Sequence, residues 1–186
     1  MLEILYRDDH LAVVAKPSGL LVHRGWAQDD EVAVTLARQT LGAFVYPVHR
    51  LDRGASGALV FALSSETAAL LHAAFEDGRV EKRYLAAVRR VAISGHASLV
   101  EARPRDGRLH QVRRHLKHIS HPILGDANYG KGALNREVRE RHGLARLALH
   151  AAGLAFAHPV TGVRVEVEAP LPEDLVGPLR SLGLLG

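Results

Sequence analysis

A chain of 186 residues, 47% of them apolar, can fill one hydrophobic core and is short for two, so a single domain over residues 1–186 is expected. Its 24 basic and 20 acidic side chains give a formal net charge of +4, and the arginine content lifts the isoelectric point to about 9.8, which favours a polyanionic partner. There is no cysteine, which excludes disulfides and thiolate metal sites; Glu3, Asp8 and Asp9 stand where a targeting segment would be basic and then apolar, and no apolar run reaches membrane-spanning length, so a cytoplasmic protein without membrane attachment is expected.

Residues 2–6 and 11–15 read as short strands separated by an Asp8-Asp9 turn and ended by Lys16-Pro17-Ser18-Gly19, which predicts a hairpin at a sheet edge. Asp29 or Asp30 can cap a following helix whose apolar positions Val32, Leu36 and Leu41 lie near helical spacing. Residues 44–48 form a strand leading into His49-Arg50-Leu51-Asp52-Arg53-Gly54-Ala55-Ser56-Gly57. Here one carboxylate sits between two arginines, an arrangement that favours its ionised form, and nucleophilic chemistry requires an ionised carboxylate. Taken alone, the stretch reads more simply as a turn aspartate with surface arginines, since structural ion pairs are common. Residues 57–63 are apolar almost throughout, as a strand buried on both faces would be, and such a strand would hold Asp52 on a rigid support.

Ser64 or Ser65 can cap the next helix, with Ala68, Leu70, Leu71, Ala74 and Phe75 on its apolar face and Asp77-Gly78 at its end. Residues 80–89 follow as a strand with Lys82, Tyr84 and Ala86 on one face and Arg83, Leu85 and Ala87 on the other. On these residues alone, Tyr84 is an ordinary strand tyrosine packed on the core. Residues 108–119 read as a helix with Val112, Leu116 and Ile119 as its buried stripe and basic side chains elsewhere. Arg103, Arg105, Arg108, Arg113, Arg114 and Lys117 crowd into one short interval around this helix with His110, His115, His118 and His121. The HExxH spacing of a zinc helix is absent and no nearby carboxylate completes a ligand set, so these histidines are expected to face phosphate or cap, without metal. A solvated face is the usual reading of such a charge run and suits Arg114 and Lys117. Residues 135–142 predict an exposed helix ended by Gly143, residues 147–156 and 163–167 two strands joined at His158 to Gly162, and residues 172–182 a short last helix. The class expected from these pieces is α+β, a mainly antiparallel mixed sheet with flanking helices.

The stretch from His49 to Gly57 closely resembles the HRLDxxTSG signature of the RluA-type pseudouridine synthases, with Ala55 where that family usually has Thr. Further blocks occur in the family's order: VVAKPSGLLVHRG at 13–25, EKRY at 81–84, DGRLHQVRRHL at 106–116 and HPILGDANYG at 121–130. The opening MLEILYRDD and the later RLALHAAGLAFAHPVTG are most similar to the TruC-like branch, which modifies tRNA. The resemblance implies the pseudouridine synthase fold, with a cleft across the sheet where Asp52, Tyr84 and Arg113 meet as the catalytic group. Asp52 would react, the Tyr84 ring would pack on the uracil while its hydroxyl helps move the C5 proton, and Arg113 would pair with Asp52 while Gln111 and His115 brace the helix. Arg50 matches the family's stack-filling arginine, and Arg50, Lys82, Arg108, His110, Gln111, Arg114 and Lys117 are the expected substrate-binding set.

The same resemblance implies isomerisation of a uridine in structured RNA, tRNA in the first place and ribosomal RNA as the alternative, by a monomer that needs no cofactor. Two departures bear on this. Ala55 removes a hydroxyl beside the loop, worth a hydrogen bond of about 1 kcal/mol. Residues 90–106 are fewer than the family's usual connection, so part of the central sheet is expected to be missing. A non-catalytic RNA-binding module that keeps the cleft is therefore a second reading, and a metal-dependent phosphodiesterase using Asp and His a third.

Overall fold

The computed structural model describes residues 1–23, 31–89, 97–130 and 132–186. Apolar alternation broken by Asp, Gly and Pro turns gives the first two strands, β1 (Glu3–Arg7) and β2 (Leu11–Lys16), which pair antiparallel. Helix α1 (Ala33–Leu41), strand β3 (Tyr46–Pro47), strand β4 (Ser56–Ala62) and helix α2 (Ser65–Glu76) follow. Strands β5 (Glu81–Arg89) and β6 (Ala97–Ala102) pair antiparallel from Tyr84 with Ala102 to Arg89 with Ala97, so residues of the 90–106 interval supply a strand. Helices α3 (Gln111–His118) and α4 (Gly132–His142), strands β7 (Leu149–Ala157) and β8 (Arg164–Glu168) and helix α5 (Glu173–Ser181) complete the chain.

Among the described residues the strands form one eight-stranded sheet with the order β1-β2-β4-β7-β5-β6, in which the neighbours β2-β4, β4-β7 and β7-β5 are not consecutive in the chain. Strand β3 pairs with β4, and β8 with β7. Among the described residues only β4 and β7 pair parallel, and they touch at just two pairs, Ser56 with His150 and Gly57 with Ala151. Beyond these pairs the two central strands part. The freed edge of β4 is taken by β3 at Phe61 and Ala62, and the freed edge of β7 by β8 from Gly153 to Ala157.

The long apolar run of β4 has the reason that a doubly covered strand demands. Ala58, Val60 and Ala62 pack with Ala68, Leu71 and Ala74 of α2, whereas Leu59 and Phe61 pack with Ala33, Ala37 and Leu41 of α1. A third cluster joins Ala86 and Val88 of β5 to Val138 of α4 and to Leu175 and Leu179 of α5. Helix α2 starts where the sequence places it, with Ser64 Oγ accepting from Thr67 N at 3.1 Å.

Several details differ from the sequence reading. The residue before α1 is Val32, whose side chain caps nothing; the first helical N–H groups are instead satisfied by the chain at Leu21 and Val22, and Asp29 and Asp30 lie outside the described residues. Strand β3 is two residues long because Pro47 has no N–H to extend a ladder. Leu70 points to solvent rather than into the α2 face. Helix α3 begins at Gln111, not 108, and its buried residue is Arg113; Val112 and Leu116 are partly covered and Ile119, past the helix end, is exposed.

Gly57 sits where β2, β4 and β7 converge, at φ +118°, and a Cβ there would collide with the backbone of Ala151. Gly57→Ala is expected to lower unfolding stability by roughly 3 kcal/mol, combining left-handed strain with overpacking. Gly19→Ala, also at positive φ but in open space, is expected to cost about 1 kcal/mol. Urea midpoints of the two variants check the difference, and equal midpoints would dismiss the close approach as the cause.

Candidate active site

One row of the sheet places the site. Lys16 of β2 lies opposite Gly57 of β4, Gly57 opposite Ala151 of β7, and Ala151 opposite Tyr84 of β5. Strand β7 carries an irregularity here, since Arg83 pairs with Gly153 but Tyr84 already with Ala151. Such a bulge bends the strand and re-aims neighbouring side chains. The turn that carries Asp52 enters β4 just before this row, closed by Ala55 N donating to Asp52 O at 3.0 Å.

The turn is held from several sides. His49 Nε2 accepts from Val60 N at 2.9 Å, and its ring stacks on Phe75 at 4.5 Å. Burial, helped by the charges of Lys82 and His72, pushes the His49 pKa down to about 3, so it serves as a neutral acceptor. Ser18 Oγ donates to Gly54 O at 2.7 Å, and Arg146 Nη2 donates to Ser56 Oγ at 2.7 Å while its Nη1 meets Asp174 of α5 at 2.8 Å. Lys16, 1% exposed, donates from Nζ to the carbonyls of Pro17 (2.8 Å) and Leu20 (2.7 Å). Burial and then the charge of Arg146 push its pKa down to about 7 against the pull of Asp52. Lys16 and His49 are parts of the site that sequence reasoning passed over, although both stand inside the blocks that carry the family resemblance.

Asp52 meets its cation from across the chain. Arg113 Nη1 donates to Asp52 Oδ2 at 3.1 Å, while Nε and Nη2 of the same guanidinium donate to Asp126 Oδ2 and Oδ1, both at 2.8 Å. The cation within hydrogen-bond reach of Asp52 is thus the arginine that the resemblance implied. Asp126 was not a sequence candidate, yet its side chain is wholly buried and also accepts from Asn128 N and Tyr129 N. Burial disfavours its charged form, but the hydrogen bonds of Arg113 and of the Tyr129 and Asn128 amides outweigh this and hold its pKa below the usual carboxylate value. The Asp126 hydrogen bond in turn raises the pKa of Arg113 further, so the guanidinium stays charged. Asn135 of α4 ties the loop down, donating to Asp126 O and accepting from Gly125 N, so this helix matters more than its exposed charges suggest.

Asp52, Tyr84, Arg113, Lys82 and His110 line one cleft of about 480 Å³. Burial and the charge of Asp52 raise the pKa of Tyr84, so its phenol stays protonated. Lys82, 7% exposed, donates to the carbonyls of Arg105 (2.8 Å) and Asp106 (3.1 Å) and so fastens the cleft wall to β5. His110 Nε2 lies 3.8 Å from Asp52 Oδ1, and its Nδ1 is 3.1 Å from the Tyr129 hydroxyl. Arg50 and Arg108 are exposed residues of the lining. Arg114 and Lys117 are exposed beside the cleft in a hollow shared with Arg108, Leu109 and Tyr129. Gln111 and His115 do not brace α3 as expected: His115 is exposed, and the buried Gln111 Oε1 has no partner among the described residues. Among the described residues no group of three or more His, Cys, Asp or Glu is placed to hold a metal ion, and no helix is long and apolar enough to cross a membrane.

Comparison with known proteins gives this arrangement its class. Residues 10–95 match the family model described as RNA pseudouridylate synthase. The chain is 38% identical to tRNA pseudouridine synthase C of Haemophilus ducreyi, over 93% of this chain and 92% of that one. It is 35% identical to tRNA pseudouridine synthase C of Yersinia pestis, over 100% and 93% respectively. Human RNA Pseudouridylate Synthase Domain Containing 4 superimposes with a TM-score of 0.75 at 25% identity, covering 97% of this chain and 93% of that structure. The chain belongs to the RNA pseudouridylate synthase family. It is accordingly an isomerase that turns uridine in RNA into pseudouridine. The alignment with the Yersinia protein spans 238 positions, more than the 186 residues here, so that relative carries segments this shorter chain lacks.

The Asp126 pair generates a testable consequence. Asp126→Asn leaves the Arg113 charge buried with one carboxylate instead of two and is expected to cost about 3 kcal/mol at neutral pH. Because the folded pKa of Asp126 is depressed, its contribution is complete above the unfolded value of about 3.9 and is lost as pH falls through the folded value. Thermal melts of wild type and variant should therefore differ most near neutrality and converge in acid. Melts that stay parallel down to about pH 3 would reject the assignment.

Proposed function

We propose that this protein, as one catalytic domain over residues 1–186 acting as a monomer in the cytoplasm, isomerises a uridine of a structured tRNA, with Asp52 as the reacting group and neither cofactor nor metal. The isomerisation breaks the bond between N1 of uracil and C1′ of ribose, turns the base, joins C5 to C1′ and releases the C5 proton. It needs no oxidant and no water. One carboxylate suffices, whereas glycoside hydrolysis uses a pair to activate and deliver water.

The observation that carries this reading is the unequal treatment of two carboxylates by one guanidinium. Asp126 is wholly buried and holds two of the three Arg113 bonds, so it supports; Asp52 lines the cleft, gives Oδ2 to Arg113 and has Oδ1 3.8 Å from His110 Nε2, another residue of the lining, so it is the group that can reach a nucleotide. Attack at C1′ and proton removal beside it both use such an oxygen. Tyr84, on the same cleft, offers a ring for the extruded uracil, as enzymes that act on an unstacked base do. Its protonated hydroxyl suits it to donating a hydrogen bond, and a relay of the C5 proton through it would require its own proton to leave at the same time. Arg50, exposed at the cleft, is in this reading the residue that fills the space the uridine vacates. The similarity to the tRNA pseudouridine synthases C of Haemophilus ducreyi and Yersinia pestis supports tRNA over ribosomal RNA as substrate.

Asp52→Asn is expected to abolish tritium release from C5-labelled uridine in tRNA while RNA binding survives, because the basic surface supplies most of the affinity. Measurable turnover by this variant removes Asp52 from its role, and wild-type turnover confined to ribosomal RNA refutes the tRNA assignment.

Affinity is expected to fall steeply with salt. Lys117→Ala should flatten the plot of log affinity against log salt by about 0.7 to 0.9 if Lys117 lies on a phosphate. An unchanged slope in filter-binding titrations would take Lys117 off the RNA path.

A further inference from the structure

We infer that His110 is the residue through which the protein recognises the ribose 2′-hydroxyl of the uridine it converts; this rests on the proposed role of Asp52 at the reacting nucleotide. Arg113 occupies Oδ2 of Asp52, so Oδ1 is the oxygen left for substrate. His110 Nε2 lies 3.8 Å from that oxygen, too far for a direct hydrogen bond and near enough for one hydroxyl to bridge the two. The ribose 2′-oxygen is bonded to C2′, the neighbour of C1′. An Oδ1 in contact with C1′ or with the C2′ hydrogen therefore lets the 2′-oxygen come within hydrogen-bond length of a donor at the Nε2 position.

The rest of the residue is arranged to hold Nε2 there. Nδ1 is 3.1 Å from the Tyr129 hydroxyl, and the two rings meet edge to face at 5.7 Å. With the phenol donating to Nδ1, Nε2 carries the ring proton toward the cleft. Tyr129 is fixed in turn by its amide on Asp126 Oδ1 and by the Arg113 guanidinium 5.1 Å from its ring. The His110 backbone is left-handed, φ 54° and ψ 27°, and its side chain makes no capping bond to α3 although it stands at the cap position. A non-glycine residue kept in this region is strained, and such strain persists where the surroundings impose a side-chain position. The 2′-hydroxyl is what separates RNA from DNA at a given nucleotide, so the pair formed by His110 and Tyr129 would make the site selective for a ribonucleotide at the target.

The test uses a tRNA transcript that the wild type modifies, with either uridine or 2′-deoxyuridine at the target position. Its affinity is measured for Asp52→Asn, which freezes turnover, and for the same variant carrying His110→Gly. Loss of the 2′-hydroxyl should weaken binding about tenfold when His110 is present and leave it nearly unchanged when it is absent. His110→Gly also relieves the left-handed strain, so a melting temperature equal to or above that of its parent shows that the lost discrimination is not misfolding. His110→Asn, which tolerates the same backbone region but is too short to reach, should lose discrimination in the same way. Equal penalties with and without His110, or no penalty at all, would overturn the assignment. Failure of the wild type to form pseudouridine would instead overturn the proposed reaction, so the two failures are distinguishable.

Discussion

Everything at the site depends on Arg113 being fixed before it reaches Asp52. A buried guanidinium is costly unless its donors are used and its charge is met, and Asp126 does both with two parallel bonds at 2.8 Å. That fork leaves one Nη1 donor aimed across the cleft, and Asp52 takes it at 3.1 Å. The charge balance follows from the geometry. One cation shared between two carboxylates leaves the triad with a net negative charge, so Arg113 orients Asp52 without cancelling it. A private Arg–Asp pair would orient the carboxylate equally well but leave no net charge at the site.

The second constraint is the parting of the two central strands. Parallel strands in the middle of a sheet need crossovers and cover on both faces, and here β4 and β7 keep only two pairs before β3 and β8 fill the diverging edges. This contact is where Gly57 admits the Ala151 backbone, where the Asp52 turn enters β4, and where Tyr84 sits one strand further on. Asp52 and Tyr84, remote in sequence, are thereby brought to one cleft by backbone pairing, and the bonds of Lys16, His49, Ser56 and Arg146 keep the turn from relaxing.

Much of this was legible in the residues. The unbroken apolar run of β4, the Ser64 cap, the alternation that sets Lys82 and Tyr84 on one face and the exposed set Arg114 and Lys117 all follow from local rules that the tertiary structure does not override. Asp126 escaped because an aspartate after glycine and before Ala-Asn looks like turn punctuation, and nothing local says that the turn is buried. Arg113 was named from resemblance, while its burial contradicts the rule that a run of basic residues marks a wet helix face. The apolar stripe chosen for α3 ended on Ile119 for a related reason: periodicity cannot see that the helix stops at His118 and that Ser120 turns left-handed. At the start of α1 the backbone of Leu21 and Val22 accepts from the first N–H groups, a long-range pairing that no local rule signals, while the Asp29 or Asp30 assigned as cap lies outside the described residues.

Helix α3 joins these two kinds of electrostatics on eight residues. Arg113 faces inward and is screened little by ions, because its partners are buried with it; Arg114 and Lys117 face outward and act through solvent, where a Debye length of about 8 Å at physiological salt limits their reach. The proposed division of labour follows. Salt weakens the hold on a polyanion without loosening the triad, so the chemistry of a bound nucleotide and the capture of its RNA respond differently to ionic strength although one short helix serves both. A substrate gripped mainly by its backbone is held by shape, and discrimination at the reacting nucleotide is then left to the few groups within reach of Asp52 Oδ1.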